Sequence, residues 1–166
     1  MTDLPITIRR EKRKSLVMRM TTRGILVLIP RWLNADSPQV QQFIAGGLKK
    51  LQGRKLLDSP EVKTTPAQLK TLVYHWAALI GVQPTRIQMR SMYRKWGSCS
   101  KGGSITLNQS LCYVPPHLAE YVVCHELVHM REFNHGKGFK DLMSHYMPDW
   151  HDRDKELDKY VILRPG

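Results

Sequence analysis

The stretch CHELVHMREFNHG, residues 124–136, carries three histidines and two glutamates in thirteen positions. His125 and His129 are four residues apart, so on a helix they share one face a turn apart. Two imidazoles so spaced can converge on one zinc ion, with Zn–N distances of about 2.0–2.1 Å. Glu126 projects to the side of that face. There it can accept a proton from a metal-activated water without being a ligand. His-Glu-x-x-His therefore encodes two ligands and one general base. By chance the pattern arises in roughly one such sequence in a hundred. The alternative is an amphipathic helix with exposed polar histidines. Against it, Val122, Val123, Cys124, Leu127 and Val128 surround the motif with apolar side chains, where polar groups are costly without a purpose.

A catalytic zinc needs a third protein ligand and an open position. His135 follows His129 by six residues. On an unbroken helix that spacing rotates it about 240° away. The helix must therefore stop and the chain turn back, and Asn134 and Gly136 are residues that tolerate such a reversal. The competing design takes a glutamate from a later helix, and Glu156 is the residue available for it. Glu156 lies among Asp152, Asp154, Lys155, Asp158 and Lys159, the pattern of a solvated helix. His145 and His151 stay open, without comparable turn chemistry to aim them. His135 is the favoured third ligand.

The elements that must position these groups are legible in outline. Pro115-Pro116 opens the motif helix, expected over about 116–133. Residues 66–81, PAQLKTLVYHWAALIG, read as a helix with Thr64 or Thr65 as cap, Pro66 in the first turn and Gly81 as terminator. Leu69, Leu72, Val73, Trp76, Leu79 and Ile80 give it one apolar face; His75 beside that face reads as structural or exposed. Residues 86–115 read as a strand, a glycine-punctuated connection and a second strand around SITLN. The stretch FKDLMSHYM and the segment from Pro148 through DWHDRDKELDKYVI read as two further helices. Upstream, residues 4–30 are rich in β-branched residues and predict two or three antiparallel strands, and Pro38 opens a helix weakened by a glycine pair.

With 166 residues and 42% hydrophobic content the chain suits a single domain spanning 1–166. Its expected parts are a β-rich segment over 1–35 and a core over 60–166. The three cysteines form no CxxC pair, which speaks against a disulfide framework and for a reducing compartment. The first residues lack an apolar leader, and ILVLIP at 25–30 is too short to span a bilayer. A cytoplasmic protein with no membrane partner is expected. The net charge is +12 and the pI about 9.9, a balance that favours polyanionic partners. Arg9, Arg10, Lys12, Arg13 and Lys14 form one basic run, and Arg86, Arg90, Arg94 and Lys95 a second set. The run equally suits a solvated strand edge that resists aggregation.

WGSC at 96–99, ITLN ending at Asn108, YVVCHELVH at 121–129, NHGKGF at 134–139 and PDW at 148–150 occur in this order. With IRREKRKSLVMRM and ILVLIP upstream, the chain resembles the YgjP-like metallopeptidase family, kin to the SprT-like and WLM zinc peptidases. The resemblance covers nearly the whole length. It implies an α+β, zincin-like fold with one zinc ion on His125, His129 and His135, and Glu126 as base. Lys140 departs from the pattern, where the family often has Trp.

Trp96 and Cys99 read as packing under the site, with Gly97 allowing a tight turn. Asn108 is a candidate for bonding either a neighbouring loop or a substrate backbone. GSITLN is, by analogy with zincins, the candidate strand for peptide addition. His145 and Tyr146 are candidate oxyanion donors, weighed against structural roles. The function expected is a zinc endopeptidase acting on protein or peptide, with nucleic-acid-bound proteins as one substrate class. The rival is a basic nucleic-acid-binding module whose zinc is structural or whose activity is lost.

Overall fold

The computed structural model describes residues 4–21, 23–56 and 61–162, with side chains from 55 and 56 left aside. The ends of the expected segments, residues 1–3, 60 and 163–166, lie outside the described residues. The described chain falls into two compact units, one within 4–56 and one within 61–162.

In the first unit, β1 (Ile6–Glu11), β2 (Val17–Thr21) and β3 (Gly24–Pro30) make a three-stranded sheet in the order β1-β3-β2. The antiparallel expectation holds only for β2 on β3; β1 runs parallel to β3, with Ile6 opposite Ile25 and Glu11 opposite Pro30. The physical reason is burial. GILVLIP is the most apolar of the three strands and is buried along nearly its whole length, so it takes the middle. The more exposed β1 is left at an edge. The basic turn at 12–16 then joins two strands that are not neighbours. At Gly24 the φ of 124° and the nearby Pro5 carbonyl leave no room for a side chain. Helix α1 (Pro38–Leu51) follows, capped by Ser37, and the short β4 (Lys55–Leu56) ends the unit.

The second unit begins with α2 (Pro66–Ile80). Thr65 and Gln68 form a reciprocal capping box, and Gly81 ends the helix in the left-handed conformation at φ 77°. Its buried face is Leu69, Val73, Trp76, Ala77 and Ile80; Leu79, expected on that face, is instead 54% exposed. Strands β5 (Arg86–Arg90), β6 (Gly97–Cys99) and β7 (Ser104–Asn108) form a sheet in the order β5-β7-β6. β7 pairs parallel with β5 and antiparallel with β6. A 3-10 turn, Gln109–Tyr113, leads into α3 (Pro116–Val128). Two shorter helices follow, α4 (Lys137–Tyr146) and α5 (Trp150–Leu157), and then β8 (Tyr160–Val161).

α3 is the axis of this unit. Leu118, Ala119, Tyr121, Val122, Val123, Cys124, Leu127 and Val128 are all buried, so the helix is apolar on nearly every side. It packs against α2, α4, α5, β6 and β7. Glu120 ties three helices together. It accepts from Trp76 Nε1 of α2 at 3.1 Å and from Arg153 of α5 at 3.3 Å. Arg153 also bonds the His117 carbonyl and Asp149. All three cysteines are free. Among the described residues no helix is long and apolar enough to cross a membrane.

Candidate metal centre

α3 ends at Val128, several residues before the expected 133. His129 caps it in a helical conformation, and tight bonds from Met130 N to Leu127 O and from Arg131 N to Val128 O close the last turn. The chain reverses without left-handed residues: among the described residues no non-glycine residue has positive φ, and Gly136 is extended at φ −80°. The helix stops before the geometry would carry His135 away, and 3-10-type tightening supplies the reversal that Asn134 and Gly136 were expected to provide.

The reversal brings His135 to the other two histidines. The Nε2 atoms of His125, His129 and His135 lie 3.2, 2.9 and 3.1 Å apart in pairs. Nitrogens sharing one tetrahedral ion at 2.0–2.1 Å stand about 3.3 Å apart, so the three imidazoles are spaced as one ion requires. His129 Nδ1 lies 3.1 Å from the Glu132 carbonyl oxygen. A carbonyl only accepts, so the proton sits on Nδ1 and the Nε2 lone pair is presented inward. The donor set, three imidazoles, suits zinc. Phe139, 2% exposed, lies against all three rings, at 4.9, 4.6 and 4.9 Å between centroids.

Burial disfavours the charged form of His125 and His129. It lowers His125 from 6.5 to about 3, with neighbouring His129 and His135 adding to the shift. Burial also lowers His129, partly offset by its bond to Glu132. Glu126, one residue from His125 and 7% exposed, is raised by burial from 4.5 to about 7, and Lys95 opposes the rise. A carboxyl group poised near neutrality suits a general base.

Histidines and glutamate open onto a cleft of about 570 Å³, walled by Lys95 to Cys99 on one side and by Tyr121, Asp154 and Leu157 on the other. β6 is an edge strand and forms part of this wall. Gly97 sits in β6 and not in a turn. A Cβ there would stand 2.9 Å from Glu126 Cγ and 3.0 Å from both Glu126 Oε1 and Val122 Cγ1. Glycine lets the Glu126 side chain pack directly on the strand backbone. Cys99 also lines the cleft, with its thiol pushed up to about 11 by burial and by Glu126.

The other candidates lie elsewhere. Asn108, 1% exposed, donates to the Met92 and Lys95 carbonyls at 2.8 and 2.9 Å and accepts from Ser110 N. It holds the loop entering β6 and does not line the cleft. β7, the core of GSITLN, has both edges paired, so it has none left for a peptide; β6 does. His145 stacks edge-on with Tyr146, and neither lines the cleft. Glu156 is engaged with His117 at 2.8 Å, and His151 stacks on Trp150. Lys140 is exposed. In the first unit, Arg9 and Arg13 both pair with Glu11, while Arg10, Lys12 and Lys14 are exposed.

Phe139, Gly97, Tyr121 and Asp154 were not read from the sequence as site residues. Phe139 had one signal, its place one turn into a helix just after the third histidine. The other three depend on contacts between distant segments or between a side chain and a backbone.

The sequence matches the family described as "YgjP-like, metallopeptidase domain" over residues 18–160. No curated protein matches the chain significantly. Among the solved structures that resemble it are the metallopeptidase zymogens of Pyrococcus abyssi abylysin and Methanocaldococcus jannaschii jannalysin. Each is 21% identical with a TM-score of 0.49 and covers 55% of this chain, and 93% and 94% of its own chain respectively.

Proposed function

Since the chain belongs to the YgjP-like metallopeptidase family, we propose that it is a zinc-dependent endopeptidase of the HExxH type, with a zincin-like second unit. The observation that carries this reading is the convergence of three imidazole Nε2 atoms within 3.2 Å of one another, beside a buried glutamate. In this reading His125, His129 and His135 hold one zinc ion. A zinc ion held there supplies Lewis-acid polarisation of the scissile carbonyl and acidifies water. Glu126 takes the proton of the attacking water and returns it to the leaving amine. Its pKa near 7 allows both transfers at neutral pH.

β6 offers the peptide its unpaired backbone edge along the cleft wall, next to Glu126. Lys95, on the same wall, opposes the burial of Glu126 and helps keep it ionised between turnovers. The family match runs from residue 18 to residue 160, which supports treating the whole chain as one metallopeptidase domain. A cytoplasmic location is retained as part of the proposal on the strength of the unpaired cysteines.

A second reading, in which the peptidase works on nucleic-acid-bound proteins, draws on the exposed Arg10, Lys12 and Lys14 and the net charge of +12. The rival in which zinc is only structural is disfavoured by a base held against an open cleft. The test incubates the zinc-loaded protein with a mixed protein library, with and without DNA, and maps the cut sites. The same is done with Glu126→Gln. Cleavage by the parent, with a loss of about 100-fold or more in the variant at unchanged zinc stoichiometry, is expected. Equal cleavage by both would remove Glu126 from the mechanism, and no cleavage by either would leave the structural-zinc rival standing.

A further inference from the structure

The His125 nitrogen that does not join the Nε2 cluster, Nδ1, lies 3.3 Å from the hydroxyl of Tyr121. That hydroxyl has one proton, and it is donated to Asp154 Oδ1 at 2.8 Å. An ionised carboxylate only accepts, so the Tyr121 proton is committed there. The His125 contact is then a hydrogen bond only if Nδ1–H donates and the Tyr121 oxygen accepts. A neutral imidazole carries one ring proton. With that proton on Nδ1, the Nε2 lone pair of His125 is left for the point where the three nitrogens meet.

The partners are held by the fold and not by chance. Tyr121 is 4% exposed and lies one helical turn before His125 on α3. Asp154 follows Arg153, the residue that grips Asp149, Glu120 and the His117 carbonyl. The docking of α5 on α3 thus sets where Asp154 stands. His129 is oriented differently, through the backbone carbonyl of Glu132, so no side-chain substitution can remove its support.

We propose that Tyr121 and Asp154 are positioning residues: a two-member relay that fixes the tautomer and orientation of His125 and so sets the metal affinity of the site. The proposal rests on the reading that the three histidines hold the metal. It uses side chains from two helices that no motif joins.

Tyr121→Phe keeps the ring that packs edge-on against His125 at 5.7 Å and removes only the hydroxyl. Two readouts are taken on purified full-length protein. One is zinc affinity, by competition with a chelator. The other is the tautomer of His125 in metal-free protein, from two-bond nitrogen–proton NMR correlations. Zinc affinity is expected to fall about 10–100-fold, and His125 to lose its preference for the Nδ1–H form. Asp154→Asn keeps an acceptor oxygen but loses the charge, and is expected to shift both readouts the same way by less.

Leu118→Ala serves as a control, since Leu118 is fully buried on α3 and makes no hydrogen bond to a histidine. It should lower the melting temperature and leave zinc affinity unchanged. Full-strength zinc binding by Tyr121→Phe, an unchanged tautomer, or an equal affinity loss in Leu118→Ala would each overturn the relay. If the parent itself takes up no zinc, the metal-site reading fails before the relay is reached.

Discussion

The choice between His135 and Glu156 as third ligand is made by what each side chain already touches. His135 Nε2 stands 2.9 and 3.1 Å from the other two Nε2 atoms. Glu156 is committed to His117. His135→Ala should therefore weaken zinc binding by more than the roughly 100-fold that losing a supporting hydrogen bond costs, while Glu156→Ala leaves it nearly intact. A zinc titration of both variants decides this, and the reverse ranking would sink the three-histidine site. The same cluster makes the metal-free protein sensitive to acid. His125 resists protonation down to about pH 3 when folded but takes a proton near 6.5 when unfolded. A depressed histidine favours unfolding as pH falls through that interval, because the unfolded state binds more protons. Glu126 acts with the opposite sign: its folded pKa near 7 lies above the unfolded 4.5, so protonation relieves its burial cost as pH falls. In Glu126→Gln that compensation is gone. The metal-free variant should lose melting temperature between pH 7.5 and 5.5 more steeply than the metal-free parent, and parallel melting curves would count against a raised Glu126 pKa in the folded state.

Among elements, β6 does the most with the least, since three residues supply a cleft wall, an unpaired strand edge and a seat for the Glu126 side chain. The seat depends on Gly97, whose missing Cβ is replaced by Glu126 and Val122. Gly97→Ala must push the strand or the carboxylate aside, and Val122 on the rigid α3 does not yield. Displacements near 1 Å cost catalysis on the order of 100-fold. The variant is expected to lose that much in kcat/KM and still bind one equivalent of zinc, because the atoms nearest a Cβ at Gly97 belong to Glu126 and Val122 and not to a histidine. Peptidase assays beside a zinc titration check it; unimpaired turnover would mean that Glu126 does not need its place on β6. This element also marks the limit of what the sequence discloses. Helical spacing is a local code, so His125, Glu126 and His129 were legible, as were the capping of α2 by Thr65 and its stop at Gly81. Strand order is not local. β7 as the middle strand and β6 as the edge follow from β7 pairing with both β5 and β6 across intervening chain, and Gly97 looked like a turn residue for want of that information. Tyr121 with Asp154 was hidden for the same reason, 33 residues of separation.

At the scale of the whole molecule, charge and topology meet in the first unit. A five-residue link between β1 and β2 looks like a hairpin turn, yet β3 separates the two strands, because the most apolar strand gains most from the central place. The link, residues 12–16, therefore passes from one edge of the sheet to the other and carries Lys12, Arg13 and Lys14 with it. Arg9 and Arg13 share Glu11 at 2.7 and 3.8 Å, so part of the basic run is internally compensated. Among the described ion pairs none involves Arg10, Lys12 or Lys14, and all three are exposed. If this face meets phosphates, binding is driven by counterion release, with little sequence preference and a steep loss as salt rises. Each phosphate contact contributes about 0.9 to the slope of log affinity against log salt on duplex DNA. Replacing Arg10, Lys12 and Lys14 by glutamine should then flatten the slope by up to about 2.7, and replacing Arg9 and Arg13 as well should add little, since Glu11 already screens them. Binding of a labelled duplex across a salt series, by anisotropy, measures both slopes. An equal loss from every one of the five positions would show that the Glu11 pairs open on binding. No complex at low salt would confine the protein to plain peptide hydrolysis and leave the basic run the task of protecting the exposed edge strand β1 from pairing with other chains.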